Sequence, residues 1–315
     1  MQVLLWVLFA AIVLILVTVD LFIVNRKSRE MRRREALLWS GIWILVSLIF
    51  CAGVWLAEGA DKAAMFLTGY LIEKSLSMDN LFVILMIFTY FGIRAEHQRR
   101  ILSWGIIGAL LMRGVFIFAG LALVHALHWI LYVFGGFLIL TGGRMFFPAE
   151  EVHPENNWGL RLFRRFFPTS RKVPGQSFFI RRRGLASRRR LVATPLFVAL
   201  LVIETSDLMF ALDSIPAILA VSTDSFIVYS SNIFAVLGLR ALYFFLAGWM
   251  SSLRFLKPSL ALILTFLGLK MVLSDAVHIS VHFSLAVVFG ILVAGGLLSW
   301  AFPCPKNRRP ARKSP

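Results

Sequence analysis

Charge is scarce in this 315-residue chain, at 16% of residues, against roughly 25% in a soluble domain. Acid is scarcer still, with 16 Asp and Glu beside 33 Lys and Arg. Together with 59% hydrophobic residues, this excludes a water-soluble globule, a disordered chain and a collagen-like fibre, and leaves a polytopic membrane protein. The two cysteines, Cys51 and Cys304, form no C-x-x-C pair, which argues against dithiol redox chemistry; Cys51 lies in an apolar run and reads as a packing residue. No Gly-x-x-x-x-Gly-Lys-[Ser/Thr] segment occurs, so ATP is not expected to power this chain. A net charge of +17 would suit nucleic acid on a soluble surface. Here the basic residues sit in short loops between apolar runs, as in membrane topology signals, and no nucleic-acid partner is expected.

Breaks at charge clusters give nine expected spans, near 1–24, 36–57, 63–93, 101–124, 129–147, 191–221, 226–250, 256–274 and 279–302. The first run has no basic n-region and is too long for a signal h-region, so it reads as a span. Of the 33 Lys and Arg, 27 fall in alternate loops on one side. The positive-inside rule then predicts the N-terminus outside and the C-terminus in the cytosol. The expected organisation is two N-terminal spans with a basic loop (1–62), a first unit (63–147), a basic cytosolic linker (148–190), a second unit (191–274), and a last span with a basic tail (275–315). The linker interleaves arginines with Phe163, Phe166, Phe167, Phe178 and Phe179, a pattern suited to anionic lipid and its interface.

Residues 73–85 and 207–219 align with acid on acid twice: Glu73 with Asp207 and Asp79 with Asp213. Asn80 matches Ser214, Arg113 matches Arg240, and the Gly142 segment matches the Gly268 segment. Spans three to five thus read as repeated in spans six to eight. Units of three spans in series must be inverted, the plan of secondary transporters with a site near the midplane. The fold class expected is therefore all-α, with about nine transmembrane helices and an inverted three-helix repeat.

Carboxylates inside hydrocarbon are costly and point to function. Glu73, Asp79, Glu204, Asp207 and Asp213 all lie inside expected spans. A step of six residues turns a helix ~240°, so Glu73 and Asp79, or Asp207 and Asp213, converge only if their helix is interrupted. Breaks near Asp79 and Asp213 are expected, aided by Asn80, Ser214 and Pro216. Acids with Asn80 and Ser214 are hard oxygen donors, suited to Mn²⁺, Mg²⁺ or Ca²⁺. Arg113, Arg240 and Lys74 are the expected counter-charges, and the alternative for each acid is a structural ion pair. Met78 and Met209 read as packing, Asp20 as an interfacial helix-end residue, and His125, His128, His278 and His282 as loop residues.

The segments Glu73-Lys-Ser-Leu-Ser-Met-Asp79-Asn80 and Glu204-Thr-Ser-Asp207-Leu-Met-Phe-Ala-Leu-Asp213-Ser214-Ile-Pro216-Ala resemble the two signature segments of the TerC family. They match its Alx-like branch best, over roughly residues 39–302. The family belongs to the LysE-type exporter superfamily, and members named for tellurium resistance are implicated in manganese efflux. The resemblance implies Mn²⁺ export across the inner membrane, with Asp79, Asp213 and their neighbours as the site. No permanently bound cofactor is expected. Mn²⁺ is the cargo, with Ca²⁺ as the alternative ion, and the bilayer and protons are the other partners. Proton exchange is the expected drive, because export of two charges against a negative interior costs on the order of 5 kcal/mol at ~100 mV. Two alternatives stand beside this. One is a membrane scaffold or assembly factor. The other is an intramembrane aspartyl hydrolase using Asp79 and Asp213, although the Gly-x-Gly-Asp context is missing. An enzyme is not expected.

Overall fold

A computed structural model describes residues 2–22, 33–127, 129–146, 160–161, 177–183, 189–246, 255–277 and 279–302. Its helices are α1 (Gln2–Phe22), α2 (Arg33–Glu58), α3 (Ala60–Tyr90), α4 (Ala95–Ala126), α5 (Ile130–Met145), α6 (Pro195–Leu219), α7 (Ser225–Val236), α8 (Leu239–Leu246), α9 (Leu256–Val272) and α10 (Val281–Ala301). Strands β1 (Phe179–Arg183) and β2 (Arg189–Ala193) form an antiparallel hairpin, with Phe179 opposite Ala193. Most of the basic linker, the tail with Cys304, and His128 and His278 lie outside the described residues.

Apart from that hairpin the chain is an all-α, multi-pass membrane protein, but nine crossing helices are not found among the described residues. Among the described residues four helices are long and apolar enough to cross: Arg34–Glu58, Glu96–Ala126, Pro195–Leu219 and Val281–Ala301. A fifth arises if α7 and α8, bent by 41°, count as one span. The reasons are length and charge. Helices α5 and α9 have 16 and 17 residues, short of the ~20 that a bilayer asks for. The apolar part of α1 is Leu5–Asp20. Helix α3 has 31 residues but carries Asp61, Lys62, Glu73, Lys74 and Asp79. The inverted three-helix repeat, read from the matched acids, arginines and glycines, needs two units of three spans, and among the described residues such units are not present as membrane-length helices.

The expected helix breaks are also elsewhere. Helices α3 and α6 run unbroken past Asp79 and Asp213, and Pro216 lies inside α6. The chain breaks instead between α7 and α8, where Gly238 has φ +82° and a Cβ would strike the Trp43 side chain of α2. Only glycine meets both demands without strain. The break leaves carbonyls at the end of α7, and Lys74 of α3 donates to those of Ala235 (3.1 Å) and Leu237 (3.4 Å). A cation there also suits the negative end of the α7 dipole.

Local chemistry fixes the helix starts. Asp224 caps α7 by accepting from the Phe226 and Ile227 amides (3.0 and 3.3 Å), and Ser280 caps α10 through the Phe283 amide. Pro195 opens α6, while the Thr194 hydroxyl donates to the Ser177 carbonyl and ties the hairpin to the helix start.

Helices α3 and α6 lie at the centre and pack on each other; α3 also meets α2, α7 and α10, and α4 meets α6 and α7. Helices α5 and α9 form the closest pair. A Cβ on Gly268 would lie 2.6 Å from the Gly135 carbonyl oxygen, and one on Gly142 2.8 Å from that of Ala261. Small residues let backbones approach where no hydrophobic gain drives helices together. Gly268→Ala should therefore lower stability by about 1–3 kcal/mol, read as the thermal midpoint in detergent. Gly143→Ala, whose Cβ meets nothing within 4 Å, is the control and should leave the midpoint unchanged. Equal midpoints for both variants would contradict this packing.

Candidate functional site

Three charged side chains meet in the interior. Glu73 of α3, Arg113 of α4 and Asp207 of α6 are 1%, 1% and 5% exposed. Arg113 Nη1 donates to Glu73 Oε1, and Nη2 donates to Asp207 Oδ1 at 3.0 Å. A longer contact of 3.4 Å joins Nε to Asp207 Oδ2. The planar guanidinium is suited to holding two carboxylates at once.

The helices set this up by periodicity. Glu73, Ser77 and Asn80 lie at i, i+4 and i+7, one face of α3. Asn80 Nδ2 donates to Asp207 Oδ1 at 2.7 Å, and the Ser77 hydroxyl lies 3.5 Å from Glu73 Oε1. From α7, Asn232 Nδ2 donates to Glu73 Oε2 at 3.0 Å. Helix α7 comes this near because Gly69 on α3 faces Ser231, with a Cβ at Gly69 placed 2.8 Å from the Ser231 hydroxyl.

A cavity of about 40 Å³ adjoins the cluster, and Asn80, Glu204, Asp207 and Arg240 are among its lining residues. Glu204, one turn before Asp207 on α6, lays its carboxylate against Gly108 of α4, where any Cβ would collide with it. The Asn80 Oδ1, Asn232 Oδ1 and Glu204 Oε2 oxygens are buried and accept no hydrogen bond among the described residues. Buried acceptors normally find a donor, so these oxygens are open to a cation, and the Glu204 carboxylate also to a proton. Ser214 Oγ is likewise buried without a partner.

The other acids lie apart from this cluster. Asp213 is half-buried and accepts from the Thr141 hydroxyl of α5 at 3.4 Å. Asp79 is half-buried on another face of the unbroken α3, where the Lys257 charge acts on it. Among the described residues no group of three or more His, Cys, Asp or Glu is placed to hold a metal ion. The matched arginines also differ. Arg240 of α8 pairs with Asp20 of α1 at 2.8 Å and donates to the Ser103 hydroxyl of α4 at 2.7 Å. Asp20, read from sequence as an interfacial helix end, is 4% exposed. Lys74 serves the α7 end rather than the acids. Asn232 was missed, though Ser230-Ser231-Asn232 inside an apolar run is a visible polar signal.

A buried cluster of acids, amides and one arginine between membrane helices is the kind of site found in integral membrane proteins that handle ions. Residues 58–307 match the Integral membrane protein TerC family, and the chain belongs to that family. Within it the chain sits in the Alx-like branch. It is 46% identical over 300 residues to the proposed membrane-bound redox modulator Alx of Escherichia coli (strain K12), covering 92% of each chain. An uncharacterized membrane protein, STKORF319, of Myxococcus xanthus is 47% identical over 291 residues, covering 92% of this chain and 90% of that one. An uncharacterized membrane protein of Rickettsia bellii (strain RML369-C) is 38% identical over 92% of this chain and 95% of its own length. No solved structure matches the chain.

Removing Arg113 should leave two buried carboxylates facing each other. Arg113→Met is expected to cost about 3–5 kcal/mol, the range for breaking a buried pair on one side. Adding Asp207→Asn to it should recover part of that loss. A double-mutant cycle on thermal unfolding measures the coupling, and strictly additive losses would contradict the triad.

Proposed function

We propose that this chain is a secondary transporter of the inner membrane that exports Mn²⁺ from the cytosol in exchange for protons. The observation that carries the reading is charge. Fully ionised, Glu73, Asp207 and Glu204 supply three negative charges and Arg113 one positive, while Arg240 is offset by Asp20. The remainder of −2 equals the charge of one divalent cation or two protons. Carboxylate oxygens bind either, which gives a direct means of exchange. Amide and carboxylate oxygens are hard ligands, suited to Mn²⁺ over soft ions and to Ca²⁺ as its competitor.

In this reading Glu204, Asp207 and Asn80, beside the cavity, meet the cargo first, with Glu73 reached as Arg113 lets go. Asp79, Asp213 and Ser214 complete the oxygen set when the helices shift, since they stand apart in the present arrangement. Arg113 occupies the carboxylates when the metal has left, so the emptied site is never a bare group of anions. Arg240 and Lys74 hold the surrounding helices, through Asp20 and through the α7 carbonyls. Dithiol chemistry gains no support from Cys51, whose thiol donates to the Ala63 carbonyl. An aspartyl dyad gains none either, because no hydrogen bond joins Asp79 to Asp213 among the described residues. The protein acts as a carrier and not as an enzyme.

The test is Mn²⁺ flux in proteoliposomes with a pH-sensitive dye. The wild type should move Mn²⁺ with proton counterflow and respond to an imposed pH gradient. Asp207→Asn and Glu204→Gln should each lower flux by at least about 100-fold, equivalent to ~2.7 kcal/mol in the rate barrier, with the protein still folded. Wild-type flux in both variants, or flux indifferent to pH gradients without proton movement, would overturn the reading.

A further inference from the structure

Helices α1 and α2 stand apart over α7, and between them runs an apolar groove of about 340 Å³. One wall is the stripe Leu5, Phe9 and Ile12 of α1, the other includes Phe50 and Gly53 of α2, and Phe226 of α7 lies beneath. The lining of α2 extends from Val46 to Glu58, a rise of about 18 Å along the helix. That is close to the depth of one leaflet of a hydrocarbon core about 30 Å thick.

The groove ends in a polar cavity. A second hollow of about 50 Å³ shares Leu5, Glu58 and Phe226 with it, and adds Lys62, Asp224 and Ser225. Lys62 of α3 bridges the two acids there, donating to Glu58 Oε2 and lying 3.0 Å from Asp224 Oδ2. The combined cleft is amphipathic, with a charged head and an apolar body opening toward the bilayer.

An acyl chain entering such a groove leaves one apolar medium for another, so the chain supplies little preference. Selectivity must come from the head cavity. Two carboxylates against one ammonium leave it at −1, and Asp61 on the first turn of α3 adds more acid nearby. A headgroup with net negative charge would be repelled. A zwitterionic headgroup with a primary ammonium fits, because its cation offsets the acids while its phosphate meets the remaining N–H of Lys62.

We propose that this cleft binds one phospholipid of the surrounding bilayer bearing an ethanolamine headgroup. Its ammonium rests on Glu58 and Asp224, its phosphate on Lys62, and one acyl chain lies between α1 and α2. The lipid wedges α1 against the rest of the bundle, and the site is independent of the carboxylate cluster at the centre.

The experiment is native mass spectrometry of the full chain, delipidated in mild detergent and then offered phosphatidylethanolamine or phosphatidylglycerol with identical acyl chains. The wild type should retain one phosphatidylethanolamine at least about tenfold more tightly than phosphatidylglycerol, a difference of ~1.4 kcal/mol. A Cβ at Gly53 meets nothing within 4 Å, so Gly53→Leu fills the groove without disturbing the helices. That variant should lose retention of both lipids while keeping the wild-type thermal midpoint in lipid-free detergent. Glu58→Gln with Asp224→Asn, which keeps a capping side chain on α7, should erase the headgroup preference. Equal retention of the two lipids by the wild type overturns the proposal. So does undiminished retention by Gly53→Leu, or a preference that survives in the Glu58→Gln, Asp224→Asn chain.

Discussion

One guanidinium in the interior sets the arrangement of the central helices. Arg113 projects from α4 and holds Glu73 of α3 and Asp207 of α6 in the interior, with Asp207 at the edge of the cavity. Burying any of these charges alone would cost several kcal/mol, and only mutual pairing with good hydrogen bonds offsets it. The remaining lone pairs are served by amides, Asn80 for Asp207 and Asn232 for Glu73. These contacts join four helices, so a shift of any one of them breaks a buried hydrogen bond or ion pair.

The same constraint explains the secondary charges. Arg240 pairs with Asp20 and Ser103 through its Nη groups, which ties α1 and α4 to α8, while its buried Nε has no partner among the described residues. Lys74 is satisfied by the carbonyls that the α7–α8 break sets free. Every one of these buried cations has found a partner of its own, so the cavity beside Asn80, Glu204 and Asp207 keeps an excess of acceptor oxygens. On the proposed transport reading, a site that releases a divalent cation and then resets needs this kind of balance. Its acids must be attractive enough to bind, and a competing cation must be near enough to take them back.

Membrane class was legible from the sequence, because apolar length is a local property. The sequence placed Asp79 and Asp213 foremost, with Glu73, Asp207 and Glu204 behind them and Arg113 and Arg240 as counter-charges; which of these side chains meet depends on helix packing, and the structure joins Glu73, Arg113 and Asp207. The number of crossing helices was not legible: loop residues merge into apolar runs, and only the folded chain shows that α5 and α9 stop at 16 and 17 residues. The break was sought at Asn80, Ser214 and Pro216, where a side chain or a missing N–H competes with the helix. A membrane helix packed by neighbours tolerates one lost bond, and α6 does so at Pro216. Gly238 breaks the chain because its positive φ and its contact with Trp43 act together, and the Trp43 contact is tertiary. The matched arginines carried a further lesson. Arg113 and Arg240 align in sequence, yet one meets Glu73 and Asp207 and the other meets Asp20, a partner some 220 residues away.

The central claim is that Arg113 and the cargo compete for the same carboxylates. Difference infrared spectroscopy of the protein in lipid, recorded as Mn²⁺ is perfused at constant pH, tests it most directly. Carboxylate stretching bands that vanish in Asp207→Asn and Glu73→Gln should shift on adding Mn²⁺, together with a guanidinium band that vanishes in Arg113→Gln, and should return when the metal is washed out. If Mn²⁺ leaves those bands unmoved and perturbs only carboxylates that survive in both acid variants, the buried triad is a structural pin and the cargo binds elsewhere.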